Sequence, residues 1–512
     1  MEMNYQYLLL FLLIFILERL SRTVYSTFRR GIRRVPGPLA AKLTPYWRIG
    51  LVWSGDAHEK YRALHARYGP MVRTAPHVVD ISDPAAIPTI YGIKSRFLKS
   101  AFYHPFTPVY ENRPMDNMFT TTDAAEHRAL KRPVAQKYSM TSVSALEYLV
   151  EPCTQVFTDA MLDLQGQPVD LGEWVQWYAF DAIGKITFGA AFGFLERRRD
   201  VHGAIRSIET ALQYSGIVGQ VPWLHPYLMG NMRLRATVQK LAFGDRDALE
   251  IITEMVLNSI AEYDAGGGSG GSDDDDRGRR GDFLAYLRQQ QKAAGSAMST
   301  RELMNHLMGN LLAGSDTTAI SLRAIFYYVM RDERIYRKLQ REIDDAHAAG
   351  NLSEFVTYSE CLQLEYLQAC MKEAMRMHPG VSYPLERVVP EGGTELCGHY
   401  LPPGTIVGVN AAVIHRDRGV FGEDADQFRP ERWMEDETKA KEMERNLLTF
   451  GAGARTCIGK NISIMEMGKL VPQVLRQFEL EWASSEPEWK VTTYWFAKQT
   501  GLLVRFKPRM RQ

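Results

Sequence analysis

Near the carboxyl end, Phe450-Gly451-Ala452-Gly453-Ala454-Arg455-Thr456-Cys457-Ile458-Gly459 puts one cysteine among glycines, just before a helical pattern from about Lys460 to Phe478. Glycines let the backbone turn tightly and approach a flat partner. N–H groups at a helix start, together with Arg455, would lower the thiol pKa and donate to the sulfur, so the segment reads as a thiolate site. With no second Cys or His at cluster spacing, zinc and iron–sulfur readings fall away. Taken alone, the cysteine reads equally as a small buried residue in a turn. A second set lies in Ala313-Gly314-Ser315-Asp316-Thr317-Thr318. Helical spacing puts Asn310, Ala313, Gly314 and Thr317 on one face. A core helix would carry Leu or Ile there, and a mid-helix glycine costs about 1 kcal/mol relative to alanine, so the small stripe points to a large flat body against it. Thr317 can bond back to a carbonyl and open the helix locally, with Asp316 beside it as an acid. The plainer alternative is a surface acid next to a back-bonded threonine. Glu373 and Arg376 form an i, i+3 charge pair, which alone is a solvated helix face worth a few tenths of a kcal/mol.

These residues need helices to hold them. Ser299-Thr300-Arg301-Glu302 is a capping box, followed by a proline-free apolar-periodic run to about Met330. A second box, Thr357-Tyr358-Ser359-Glu360, opens a helix expected to end at His378-Pro379. Helical patterning dominates from about Ala124 to Met377. Short β-prone pieces occur at Met71–Ile81, at Glu395–Tyr400 with Ile406–Asn410, and at Leu502–Phe506. The expected class is mainly α with small β-sheets.

Composition agrees with one large globular unit: 512 residues, 45% hydrophobic, with Lys+Arg 61 against Asp+Glu 60. Fibrous and wholly disordered classes are excluded, and the balanced charge gives nothing that favours nucleic acid. Five cysteines are too few for a disulfide framework in a chain this long. The apolar run Tyr7–Leu17 is followed by Arg19, Arg22, Arg29, Arg30, Arg33 and Arg34. It covers only about 16 Å as a helix, so crossing a hydrocarbon core of about 30 Å would need residues from Met1 to about Tyr25. A cleaved signal would carry its positive end first, and a buried core helix is the third reading. The arginines behind the run would keep the remaining chain cytosolic. The expected organisation is therefore an anchor and basic flank over residues 1–34, a Val35-Pro36-Gly37-Pro38 hinge, and one catalytic domain over 35–512. Asp264–Asp282 (DAGGGSGGSDDDDRGRRGD) reads as a mobile insertion within that domain.

Phe450, Gly451, Gly453, Arg455, Cys457 and Gly459 at this spacing resemble the haem-binding loop of the cytochrome P450 family. The resemblance implies the cytochrome P450 fold and haem b with an axial thiolate from Cys457. It also implies that Arg455 meets a haem propionate and Phe450 packs beside the sulfur. Ala313, Gly314, Asp316 and Thr317 resemble the oxygen-binding segment, in which the acid and the threonine deliver protons. Glu373, Arg376 and Arg432, the last in Phe428-Arg429-Pro430-Glu431-Arg432-Trp433, resemble the family's buried structural triad, and Arg387 resembles the strand arginine for the other propionate. One stretch departs: where the family has Trp and, four residues on, Arg, this chain has His127 and Lys131, which can still bond a carboxylate without the bidentate fork. Val388-Val389-Pro390-Glu391-Gly392-Gly393 and Tyr494-Trp495-Phe496-Ala497 look most like fungal members of pisatin-demethylase type.

The resemblance implies a monooxygenase that inserts one oxygen atom from O2 into an apolar small molecule, in fungal secondary metabolism. Electrons would come from NADPH-cytochrome P450 reductase, docked near Arg128, Lys131, Arg132 and Lys460, since this chain has no Gly-x-Gly-x-x-Gly signature. The expected setting is the endoplasmic reticulum membrane, with a monomeric chain. Expected pocket walls are Phe102, Tyr103, Phe106, Tyr110, Phe119, the Leu212–Leu224 region, Val381, Tyr383, Trp495 and Phe496. Two other readings remain: a reductase-independent haem-thiolate isomerase or dehydratase, and a non-catalytic haem protein that binds a ligand.

Overall fold

The computed structural model describes residues 31–242, 248–266, 281–292 and 298–509, together with scattered helical positions between Tyr7 and Tyr25. Of the amino-terminal apolar run, Leu9, Leu10, Leu13, Ile14 and Leu17 are exposed. No helix of the described residues is long and apolar enough to cross a membrane. Residues 8, 11, 12, 15 and 16 of that run, and residues 267–280 of the expected insertion, lie outside the described residues.

Six helices matter for the site: α1 (Ala124–Lys131), α2 (Leu171–Phe188), α3 (Ala204–Val218), α4 (Thr300–Arg331), α5 (Glu365–Met377) and α6 (Lys460–Gln477). The Ser299 box starts α4 as expected, each partner's side chain accepting the other's backbone N–H. Its 32 residues persist because most are buried, Leu303, Leu307, Leu311, Leu322 and Phe326 among them. Each such side chain contributes about 1.5–3 kcal/mol relative to exposure. α2 is buried on nearly every side and packs along α4, burying Trp174, Val175, Tyr178, Phe180, Ile183 and Ile186. α6 lies against another side of α4, where Thr318 Oγ1 donates to Ser463 Oγ at 3.0 Å.

The second capping box corrects one expectation. It caps only the short helix Tyr358–Cys361, and α5 begins afresh at Glu365. Leu364 leaves the helical region and is buried, while the Glu342 carboxylate accepts the N–H groups of Tyr366 (2.7 Å) and Leu367 (2.9 Å), capping the new start. Burial of Leu364 and that distant cap outweigh local helical continuity. α5 then ends at Met377, just before His378 and Pro379.

The largest sheet runs in the order β1 (Met71–Ala75), β2 (Val78–Ile81), β5 (Ile406–Val409), β4 (Arg387–Val388), β3 (Leu98–Lys99). β5 pairs parallel with β2, Ile406 opposite Val78, and antiparallel with β4, Val407 opposite Arg387. Leu503–Pro508 pairs with Phe478–Trp482, so α6 stops at Gln477 and Phe478 belongs to a strand. The hairpin Lys490–Thr493 with Ala497–Thr500 lies beside α4, Gln499 Nε2 donating to the Ile320 carbonyl at 2.9 Å.

Candidate active site

The loop before α6 is built around Cys457. Its N–H donates to the Phe450 carbonyl at 2.8 Å, closing the turn, and the sulfur accepts the backbone N–H groups of Gly459 and Lys460. The thiol is accessible although protein surrounds it, which places it on the wall of a cleft within the chain. Burial pushes its pKa up despite those N–H groups and the charges of Lys460 and Lys131. The Arg455 guanidinium donates to the carbonyls of Met118 (3.3 Å) and Asp123 (3.2 Å). Phe450 is half-buried, with the Lys460 ammonium 5.6 Å from its ring centroid. The glycines serve separate needs. Gly453 has φ +62°, and a Cβ there would stand 1.7 Å from the Tyr91 carbonyl oxygen. Gly451 also needs its positive φ, +69°. At Gly459 a Cβ would meet nothing within 4 Å, so space is open beside the cysteine.

On α4, Thr317 Oγ1 donates to the Ala313 carbonyl at 2.8 Å, the expected back-bond. Ala313 is exposed and Leu312, Gly314 and Thr317 are half-buried between buried Leu311 and Thr318, so this face borders a cleft too. A Cβ on Gly314 would lie 2.9 Å from Ile183 of α2, so close packing of the two helices also requires a small residue there. Asn310 donates to Thr187 Oγ1 at 3.2 Å and accepts from the Tyr138 hydroxyl. Tyr138 in turn accepts at its backbone oxygen from Asn461 of α6 (2.9 Å), and burial, then the nearby Cys457, pushes its hydroxyl pKa up. Asp316 is buried beside α2 and accepts from Gln176 Nε2. Gln176 Oε1 is held by Arg323 at 2.7 Å. Burial, aided by the negative charge of Glu209, pushes the Asp316 carboxyl up to about 6.

Arg387 is buried, its Nη1 donating to the Glu386 carbonyl (2.8 Å) and the Tyr103 hydroxyl (3.4 Å). Burial, and then repulsion by Arg387, bring Arg455 down to about 10. His127 is buried and driven to about 4 by burial, then by Arg455, Lys131, Lys99 and Arg128, so it is neutral near pH 7. Lys131 donates to the Ala454 carbonyl at 3.4 Å. Glu373 and Arg376 form no solvated pair: both side chains have zero exposure. Two parallel 2.8 Å hydrogen bonds join them, Arg432 Nε adds a third at 2.9 Å, and Trp433 Nε1 a fourth at 2.9 Å.

The cytochrome P450 family model matches residues 41–504. The chain belongs to the cytochrome P450 family. Among relatives, it is 37% identical over 496 residues to the cytochrome P450 monooxygenase gsfF of Penicillium aethiopicum, covering 95% of each chain. It is 37% identical over 485 residues to cicH of Emericella nidulans, covering 94% of this chain and 95% of that one. Against mpaDE of Penicillium brevicompactum it is 36% identical over 497 residues, covering 95% of this chain and 56% of that longer protein. Membership carries monooxygenase chemistry and haem with a cysteine thiolate as axial ligand.

The residues of this P450 fit that group. An accessible thiol held by two backbone N–H groups, open space at Gly459, and the positive charges of Arg387 and Arg455 suit a flat, iron-bearing dianion. Of the expected pocket residues, Phe102, Tyr103, Phe106, Phe119 and Trp495 pack into one cluster of ring contacts, with Tyr383 stacked on Phe102 at 5.2 Å. Tyr110 lies apart from it, under the Arg301 guanidinium, because Arg301 reaches the Tyr110 carbonyl at 2.9 Å. Tyr383 is fully buried, its hydroxyl bonded to Gln220 at 2.6 Å and to Arg48, which fixes its ring within that cluster. Sequence reasoning missed His415. Its Nδ1 meets the Arg376 carbonyl at 3.1 Å and its Nε2 accepts the Leu448 N–H at 2.8 Å, so it ties the triad helix to the cysteine loop. The Leu448 bond assigns the proton to Nδ1. Only its position in His415-Arg416-Asp417, ahead of the second arginine segment, marked it in the sequence.

Proposed function

We propose that this cytochrome P450 is a membrane-anchored, NADPH-cytochrome P450 reductase-dependent monooxygenase of fungal secondary metabolism, acting on an apolar small molecule. When bound, haem supplies the activation of O2, one atom going to the substrate and the other leaving as water, with two electrons and two protons consumed. The carrying observation is the Cys457 loop, whose Gly459 and Lys460 N–H groups meet the sulfur and balance a thiolate's charge. Arg387 and Arg455 would hold the haem carboxylates, with Lys131 and the neutral His127 as further donors. Asp316 Oδ1 is fixed by Gln176, which leaves Oδ2 to carry a proton. A carboxyl at about 6 gives that proton up and regains it near neutrality. Thr317, its hydroxyl held by the Ala313 carbonyl, would anchor a water between the acid and the reacting centre. The intact Asp316–Thr317 pair favours a monooxygenase over a reductase-independent isomerase. The stretch Ala313–Thr318 offers no His, Met or Cys that would make a second axial ligand for a ligand-binding protein.

The catalytic domain would span residues 35–512 and face the cytosol from the endoplasmic reticulum membrane. Tyr7–Leu17 and the arginines behind it support that reading. Exposed Arg128, Arg132 and Lys460 near the loop suit the acidic surface of a reductase. The aromatic cluster suits an apolar substrate larger than a gas. The deciding experiment is Cys457→Ser. Wild type should show the red-shifted carbon monoxide band of a reduced haem thiolate and the serine variant should lose it. Retention of that band would remove Cys457 from the iron.

A further inference from the structure

Arg323 follows Asp316 by seven residues on α4, two turns or about 10.5 Å along the axis, so both lie on the face that packs against α2. Both are buried, as is Gln176 of α2 between them. Among the described residues Arg323 forms no ion pair with a carboxylate. Its Nε (3.0 Å) and Nη2 (2.7 Å) donate to the Gly172 carbonyl, Nη2 also donates to Gln176 Oε1 at 2.7 Å, and Nη1 has no hydrogen-bond partner among the described residues. A buried guanidinium held only by neutral acceptors costs the fold stability that an apolar side chain of similar length would keep, so its presence points to a role other than packing.

Gln176 supplies that role. Its Nε2 donates to Asp316 Oδ1 while its Oε1 accepts from Arg323. A guanidinium carries donors only, so the amide oxygen must turn to Arg323 and the amide nitrogen to Asp316. A donor at Oδ1 favours the ionised carboxyl and leaves Oδ2 to take the proton. Without a cation at position 323 the amide could turn over, and Oε1 would then accept the Asp316 O–H and hold the proton in place. The other charges facing Asp316 are Glu209 of α3, which raises its pKa after burial does, and Lys498 of the Ala497–Thr500 strand, which lowers it and is itself bonded to Glu209. Asp170 and Glu173 at the start of α2 act on Arg323, and Glu466 of α6 faces Thr318 instead.

We propose that Arg323 is a positioning residue for the proton-delivering acid: it orients the Gln176 amide, and the amide holds Asp316 with Oδ1 as acceptor and Oδ2 as the proton carrier. The inference rests on the proton-delivery reading of Asp316 above. It accounts for two facts at once: a buried guanidinium with no carboxylate partner, and a buried carboxyl met by a donor although burial favours its neutral form.

The test follows Asp316 by infrared titration of the haem-loaded protein, as the carboxyl band present in wild type and missing from Asp316→Asn. The wild-type midpoint is expected at about 6. It should rise by about one to two units in Arg323→Met and in Gln176→Leu, the effect of one charge-assisted hydrogen bond. Because Arg323 acts through Gln176, the doubly substituted protein should fall short of the sum of the two shifts. Arg323→Gln keeps a donor to Gly172 but also offers an acceptor, so the Gln176 amide is no longer fixed; its midpoint should rise too, and it carries the test if the methionine variant fails to fold. A wild-type midpoint in Arg323→Gln, even with a lowered unfolding temperature, would make Arg323 structural only and overturn the proposal. So would fully additive shifts, or a rise in the Arg323 variants with Gln176→Leu unmoved, since the charge would then act through space and not through the amide. Wild-type turnover in Asp316→Asn would overturn the proton-delivery reading itself, whereas the titration, which needs no turnover, fails only if the positioning is wrong.

Discussion

Gly453→Ala should cripple the cysteine loop. An alanine at φ +62° costs about 1–2 kcal/mol in backbone strain alone. The new Cβ would also sit 1.7 Å from the Tyr91 carbonyl oxygen, where contacts under 3.0 Å are not tolerated, so something must retreat by at least 1.3 Å. Tyr91 cannot easily give. It is buried, its hydroxyl donates to the Leu385 carbonyl at 2.7 Å, and it accepts the Val409 N–H at 2.8 Å. The loop must therefore move. A shift of that size endangers the bonds Thr456 N–H to Gly453 (3.1 Å) and Cys457 N–H to Phe450 (2.8 Å), each worth about 1 kcal/mol. The expected total is about 3–4 kcal/mol, read as a lowered unfolding temperature and a diminished thiolate carbon monoxide band. Gly459→Ala is the counterpart: φ is −80° and a Cβ meets nothing within 4 Å. It should unfold like wild type, while its haem content falls if that open space receives the macrocycle. A Gly453→Ala protein that melts with wild type and retains full haem would refute the steric reasoning.

Glu373→Gln leaves the Arg376 guanidinium buried without a counter-charge and Arg432 with Asp424 as its remaining carboxylate, and should cost about 3–5 kcal/mol, measured as haem-free or insoluble protein on expression. Thr317→Ala should still bind substrate and consume NADPH, with a larger share of electrons appearing as hydrogen peroxide. Asp316→Asn should slow turnover itself; wild-type coupling in the first variant would remove Thr317 from proton delivery. Acid should destabilise the fold. His127, His225, His306 and His378 sit at about 4 and His415 at about 3, so their stabilising effect is complete above about pH 6.5 and lost as pH falls towards those values. Asp80, Asp316 and Glu466, raised to about 7, 6 and 8, oppose the trend, leaving a net of about two protons, or at most about 3 kcal/mol per pH unit. Denaturant titrations between pH 6.5 and 5 measure that slope, and His415→Asn should reduce it. Deleting Met1–Arg34 should release protein from membranes and leave the haem spectrum intact; an intact chain found secreted and shortened at its amino end would reverse the anchor assignment.

Local chemistry was readable where a few adjacent residues carry it. The cysteine among glycines, the Ser299 capping box, the threonine back-bond and the long apolar period of α4 depend on neighbours within a turn or two, so the chain itself determines them. Phe450, Gly453, Arg455, Cys457 and Gly459 alone carried the family. What each residue faces was decided elsewhere. Gly314 was legible as small, but its close contact with Ile183 of α2 was not. Glu373–Arg376 had the pattern of a solvated pair, and only packing against Arg432 and Trp433 buries it completely. The second capping box was present in the sequence, yet Glu342 from another helix restarts α5 four residues beyond Cys361. His415, and the Gln176–Arg323 bond, join residues far apart in the chain, and no local period records such pairings. Tertiary structure alone sets these positions, because burial removes water as the alternative partner and makes each polar group depend on whichever distant group the fold brings to it.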